Sequence, residues 1–273
     1  MSVTSQDPGV TISPLGVFDD PRYSALAQRF APTYRSAEPF PHAVIDDFLP
    51  DDLAHAIARA FPARDDLTWV ERDNVNNRRR FVTDETKLEP FLREVLREFN
   101  SRQFLLFVET LTGIDNLIPD PYFIGGGIHI SERGDFLNIH ADFNWHHKLQ
   151  AHRRCNALLY LNEEWHPEWG GYTEMWNRDM TEKVDEVEPG FNRLLVFSTG
   201  EHSNHGAPVP NACPEGVLRK VLNFYYYTTH RDDEDAAAVP HFTLYKTEAS
   251  PTSVELGTDY RAAGAAYEGS ETR

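Results

Sequence analysis

From Tyr122 to Thr228 the chain is a succession of short runs rich in β-branched and aromatic residues, broken every few positions by Gly, Pro, Asn or Asp. The runs fall at 122–130, 136–142, 154–162, 172–176, 183–187, 193–198 and 217–228. Seven or so strands in about 110 residues, this closely spaced, count against a βαβ fold. They predict instead a double-sheet jelly roll or cupin-like barrel.

Upstream the rhythm is helical. Pro41 to Phe48 predicts a strand, and the Pro50-Asp51-Asp52 cluster can cap a helix on which Leu53, Ile57, Ala58 and Phe61 recur at helical spacing. A second helical region spans Leu88 to Thr112, with Pro90 near its start and a break or fresh cap at Asn100-Ser101. The expected class is mainly β with flanking helices. Residues 1–36 are expected as an irregular N-terminal arm, 37–245 as a single domain with its β core at about 122–230, and 246–273 as a polar C-terminal tail.

Composition narrows the partners. With 43 acidic against 26 basic residues and a net charge of -17, the chain offers no electrostatic footprint for nucleic acid or for anionic membranes. No stretch is long and apolar enough to span a bilayer, and Met1 to Val10 lacks the pattern of a secretory leader, so a cytoplasmic location is expected. Cys155 and Cys213 are then expected as reduced thiols. Nothing in the chain signals an oligomeric state.

Chemistry concentrates in the β region. His140-Ala141-Asp142 closes one predicted strand, and residues two apart on a strand share a face, so both side chains can reach one metal. His205, in Ser203-Asn204-His205-Gly206, follows the strongly β stretch Leu194 to Phe197. Two imidazoles and a carboxylate form the ligand set of a facial-triad iron(II) site, which leaves positions open for a keto acid and O2. His202 competes with His205 for the distal place, and the Asn-His-Gly setting favours His205. His146 and His147 are read as loop or supporting groups, because a further ligand would block the open positions.

Arg219 lies on the last predicted strand, whose alternation puts Arg219, Val221, Asn223 and Tyr225 on one face and Lys220 on the other. A guanidinium aimed into a barrel needs a carboxylate to meet it, and the distal carboxylate of 2-oxoglutarate suits it. A surface arginine, or one paired with an acidic residue, is the bland alternative. After the metal dipeptide, Asn144 and Trp145 are candidates for the substrate mouth, as are Glu174 and Trp176 further on, although aromatic residues at strand spacing are more often core.

The ordered string Gly134-Asp135-Phe136-Leu137, His140 to Asn144, Asn156 to Asn162, Gly170-Gly171, Phe191 to Leu194, Ser203 to Gly206 and Arg219 to Thr228 resembles the iron(II)- and 2-oxoglutarate-dependent dioxygenases of the prolyl 4-hydroxylase-like superfamily. The resemblance covers about residues 122–230. It implies a double-stranded β-helix, with His140, Asp142 and His205 matching the iron ligands and Arg219 matching the residue that holds the cosubstrate. It also puts Asn156 at a position that often lines the cosubstrate pocket, and Ser131, with His129 nearby, where many relatives carry a tyrosine.

Related halogenases replace the acid ligand with a small residue, so Asp142 points to oxygen transfer. The implied cofactors are Fe(II), 2-oxoglutarate and O2, and the expected reaction is hydroxylation of an unactivated C–H bond of a small molecule with release of succinate and CO2. A polypeptide prolyl or other residue hydroxylase is the alternative within the enzyme class, and a non-catalytic cupin-like metal-binding or sensor protein is the alternative outside it.

Overall fold

The computed structural model describes residues 3–4, 11–66, 69–232 and 239–246; the expected tail beyond Lys246 lies outside these. Four helices pack on one face of a strongly curved antiparallel sheet. The helices are α1 (Arg22–Ser36), α2 (Asp51–Ala60), α3 (Pro90–Glu98) and α4 (Arg102–Thr112). Ser101 caps α4 by accepting from the Phe104 amide, and Gly113 ends it at φ 75°, which realises the break expected at Asn100-Ser101.

The principal strands are β1 (His42–Ile45), β2 (Val70–Asp73), β3 (Asn77–Val82), β4 (Gly127–Ser131), β5 (Phe136–Ala141), β6 (Ala151–Tyr160), β7 (Thr173–Trp176), β8 (Lys183–Val187), β9 (Arg193–Ser198), β10 (Asn204–Ala207), β11 (Arg219–Thr228) and β12 (Leu244–Tyr245). Their order is β8-β7-β10-β5-β3-β4-β11-β6-β9-β1, with β2 joined to β3 and β12 to β5. Because β3 pairs with β4 at one end and β5 at the other, the ladder turns a corner there and becomes two facing sheets. This is the double-stranded β-helix that the strand rhythm and the motif string imply.

Alternation along β11 divides the interior in two. Leu222, Phe224 and Tyr226 point outward into the large core beneath the helices, where Phe224 stacks on Phe99 at 4.3 Å between centroids. Arg219, Val221, Asn223 and Tyr225 point inward and line a cavity of about 350 Å³. Lys220 turns to the helical side as expected, where its ammonium meets the Ala58 carbonyl at the end of α2.

The residue arm differs from expectation. Arg22–Ser36 is a helix that buries Tyr23, Ala27, Ala31 and Tyr34 against α4, because its apolar positions recur at helical spacing despite Pro32. The hairpin β2–β3 and the strand β10 were also not expected. Cys155 and Cys213 are both buried and free. Among the described residues no helix is long and apolar enough to cross a membrane.

One close approach positions everything that follows. β10 lies against β5 with His205 directly opposite His140 and a register shift just after it. A Cβ on Gly206 would stand 2.7 Å from the Leu137 carbonyl oxygen and 2.8 Å from that of Asn138, so only glycine allows the two strands to close. We expect Gly206→Ala to lower stability by about 1–3 kcal/mol, measured by urea denaturation; an unchanged midpoint would mean the strands can part there at no cost.

Candidate active site

Three side chains meet where β5 and β10 run together. His140 sits near the end of β5, Asp142 one residue past it, and His205 on β10, all buried. His140 Nε2 is 3.5 Å from Asp142 Oδ1, and His205 Nε2 is 3.5 Å from Asp142 Oδ2. One possible ligand atom from each residue lies within 4.8 Å of the others.

The tautomers are set by the backbone. His140 Nδ1 is 2.9 Å from the Asn138 carbonyl, and His205 Nδ1 is 2.8 Å from the Ser203 carbonyl. A carbonyl can only accept, so each Nδ1 carries the proton and each Nε2 turns its lone pair to the shared centre. Burial pushes His205 down to about 4 although Asp142 works against it, so the ring stays neutral. Two imidazole nitrogens and a carboxylate converge on one point. That donor set fits iron(II).

The carboxylate is held from behind. Burial alone would raise Asp142, but Arg153, His205 and His140 outweigh it and keep the group well below the usual carboxylate range. Asp142 Oδ2 accepts from Asn156 Nδ2 at 2.8 Å and lies 3.0 Å from the Arg153 guanidinium. Asn156 Oδ1 in turn accepts two bonds from Arg153, at 2.9 and 2.7 Å, and the guanidinium lies 3.4 Å over the Tyr225 ring and 4.4 Å over Phe143. Arg153 is thus held on its edge by acceptors and on its faces by aromatic rings.

Strand alternation alone would send Arg153 to the opposite face from Asn156. A bulge between Arg153 and Cys155 turns it inward, so that it sits opposite Tyr227 while Asn156 sits opposite Tyr225. No sequence signal for this bulge was read. The polar atoms of Asn156 are taken up by Asp142 and Arg153, although the residue does line the cavity.

Arg219 is placed on the cavity wall opposite Ser131. Its Nε donates to the Gly171 carbonyl at 2.8 Å, one terminal nitrogen reaches Thr173 Oγ1 at 3.3 Å, and its guanidinium lies 5.1 Å from the Tyr160 ring centroid. No carboxylate pairs with it among the described residues, and burial lowers its pKa. Gly171, at φ +70°, makes room: a Cβ there would come within 2.5 Å of Asn211 Oδ1 and 3.2 Å of Arg219 Cδ. His129, on the same face of β4 as Ser131, is pushed to about 3 by burial and then by Arg79, and its ring stacks on Phe81.

None of the four expected mouth residues is among those that line the cavity. Asn144 accepts from the His241 amide and donates to the Val239 carbonyl, so it pins the segment 239–246. Trp145 packs edge-on against His152, 4.8 Å between centroids. Glu174 accepts from Trp176 Nε1 at 2.9 Å on the face of β7 opposite Thr173 and Met175, so neither lines the cavity; Thr173 does. His146 bonds Asp120 at 3.1 Å, and His202 lines a separate cleft, so neither joins the triad. The cavity wall is completed by residues not singled out from the sequence, among them Arg72, Arg79, Phe242 and Tyr245.

Residues 126–236 match the model of the 2OG-Fe(II) oxygenase superfamily. No curated protein sequence matches the chain. Among solved structures, a prolyl-4-hydroxylase from Pseudomonas putida shares 22% identity, with a TM-score of 0.55 over 76% of this chain and 100% of that one. A prolyl hydroxylase from Trichoplax adhaerens, solved with a peptide fragment of the hypoxia inducible factor oxygen degradation domain, shares 16%, with a TM-score of 0.52 over 77% and 92%. These likenesses confirm the double-stranded β-helix. The His-Asp-His cluster lies inside the matched residues 126–236, so this segment is similar to a 2OG-Fe(II) oxygenase domain on a prolyl-4-hydroxylase-like fold, and together these findings support an enzyme that uses iron(II), 2-oxoglutarate and O2.

Proposed function

We propose that His140, Asp142 and His205 hold the iron(II), that Arg219 binds the distal carboxylate of 2-oxoglutarate, and that the enzyme hydroxylates an unactivated C–H bond of a small molecule. The observation that carries this is the pairing of a convergent, buried His-Asp-His cluster with a guanidinium that has no carboxylate partner among the described residues, both on the wall of one cavity. A non-catalytic metal-binding barrel has no use for that second feature.

When bound, iron(II) supplies the reductive activation of O2, coupled to decarboxylation of 2-oxoglutarate to succinate and CO2. The chain's own residues do the rest. Arg219, fixed by Gly171 and Thr173, presents its remaining donors to the diacid, and Ser131 across the ladder offers a hydroxyl beside it. Arg153 and Asn156 act as positioning residues: they hold Asp142 Oδ2, so that Oδ1 is left toward His140 and the centre. Phe143, Tyr225 and Phe81 give the wall an apolar character that keeps water from the reacting carbon.

The small-molecule reading rests on the mouth. Residues 239–246 cross it, with β12 paired to β5 at His140 and Ala141 and Tyr245 bonded to Asn77. A cavity of about 350 Å³ under such a cover suits a cosubstrate and a compact molecule. A polypeptide hydroxylase is the second reading, favoured by the neighbour solved with its peptide fragment.

Asp142→Ala is expected to abolish succinate release; full turnover would remove Asp142 from the ligand set. Arg219→Ala should raise the 2-oxoglutarate requirement roughly 30-fold or more, equivalent to about 2 kcal/mol, while iron binding persists, and an unchanged requirement would place the diacid elsewhere. Arg153→Met should destabilise the metal-free protein by about 3–5 kcal/mol, because it leaves Asp142 buried beside no cation. Adding Asp142→Asn should recover most of that loss in urea melts; additive losses would show that Arg153 serves packing alone.

A further inference from the structure

The hairpin β2–β3 has two unlike faces. Its register sets Glu71 opposite Arg80, Asp73 opposite Arg78, and Arg72 opposite Arg79. On the outer face opposite charges meet: Arg80 is 2.8 Å from Glu71 and Arg78 is 3.1 Å from Asp73. On the cavity face two arginines confront each other, an arrangement that destabilises a ladder.

Nothing among the described residues neutralises them. In a protein with 43 acidic and 26 basic residues, neither Arg72 nor Arg79 has a carboxylate partner among the described residues. Arg79 Nε is buried with no hydrogen-bond partner. Both guanidinium groups lie over the Phe81 ring, at 5.6 and 5.9 Å, near the outer limit for that contact. Asp142, the one carboxylate among the residues lining the cavity, is held by Arg153 and Asn156. Arg219 has a different set of neighbours, Gly171, Thr173 and Tyr160, so the cavity offers two separate cationic positions.

Building on the reading of the site given above, we infer that the substrate carries an anionic group, a carboxylate or a phosphate, which Arg72 and Arg79 clamp together at the cavity wall while Arg219 takes the cosubstrate. Two guanidinium forks facing one another can hold a single oxyanion from both sides. The anion then removes the repulsion that the empty hairpin tolerates. The inference narrows the substrate class from small molecules at large to organic acids, amino acids and phosphate esters.

The test is calorimetry under argon on the protein loaded with iron(II) and 2-oxoglutarate, using two matched sets of probes. One is the common L-amino acids against their carboxamides, and the other is glucose 6-phosphate and O-phosphoserine against glucose and serine amide. At least one charged probe should bind, its neutral counterpart at least about tenfold more weakly, and the set that binds identifies the group. Arg79→Gln and Arg72→Gln should each weaken that binding at least about tenfold, Arg79→Lys should restore part of it, and Arg78→Gln, on the outer face, should change nothing. The 2-oxoglutarate requirement should stay the same in all four. Equal binding of charged and neutral probes, binding indifferent to Arg79 and Arg72, or no binding in either set overturns the inference. A raised 2-oxoglutarate requirement with probe binding intact would assign the pair to the cosubstrate and overturn it too. Protein that loads neither iron nor 2-oxoglutarate would sink the site reading, and this inference with it.

Discussion

A carboxylate buried in a barrel is tolerable only when cations and donors surround it, and the interior of this protein is arranged around that requirement at Asp142. Arg153 and Asn156 meet it together. Arg153 can do so because a bulge in β6 turns it inward and the rings of Tyr225 and Phe143 cover its faces. The histidines face it because Gly206 lets β10 close on β5. Each of these features looks like a local irregularity, and together they keep one ionised acid facing two lone pairs.

The same accounting of charge separates the two ends of the cavity. Arg153 has its carboxylate partner inside the protein, whereas Arg219, Arg72 and Arg79 have none among the described residues. In an acidic chain, guanidinium groups left without acids on the cavity wall are what supports the proposal that acids reach them from outside. The 2OG-Fe(II) oxygenase family supplies one such acid in its cosubstrate.

Much of this could be read from the residues. The strands from β4 to β9, and β11, follow the alternation and turn residues closely, the helices start and stop near their signals, and β11 sends Arg219, Val221, Asn223 and Tyr225 to one face as period-2 spacing requires. His140, Asp142 and His205 do converge. What escaped depends on departures from periodicity. Arg153 faces inward only through a bulge, which no composition rule announces. The hairpin β2–β3 is charged at most positions, so no apolar alternation marks it as a pair of strands, and its meaning lies in cross-strand register. Glu174 and Trp176 are candidates by residue type alone, whereas the pleat faces Thr173 and Met175 inward. The cover formed by 239–246 depends on Asn144, a tertiary contact across the length of the domain.

The central claim is that one ferrous ion, held by His140, Asp142 and His205, shares its coordination sphere with 2-oxoglutarate. Anaerobic titration of the iron-loaded protein with 2-oxoglutarate tests it most directly. The account predicts a weak visible charge-transfer band that saturates at one equivalent and is absent when Asp142 is replaced by Ala. A protein that binds iron yet stays colourless as the keto acid is added, or one whose band survives that replacement, would contradict it.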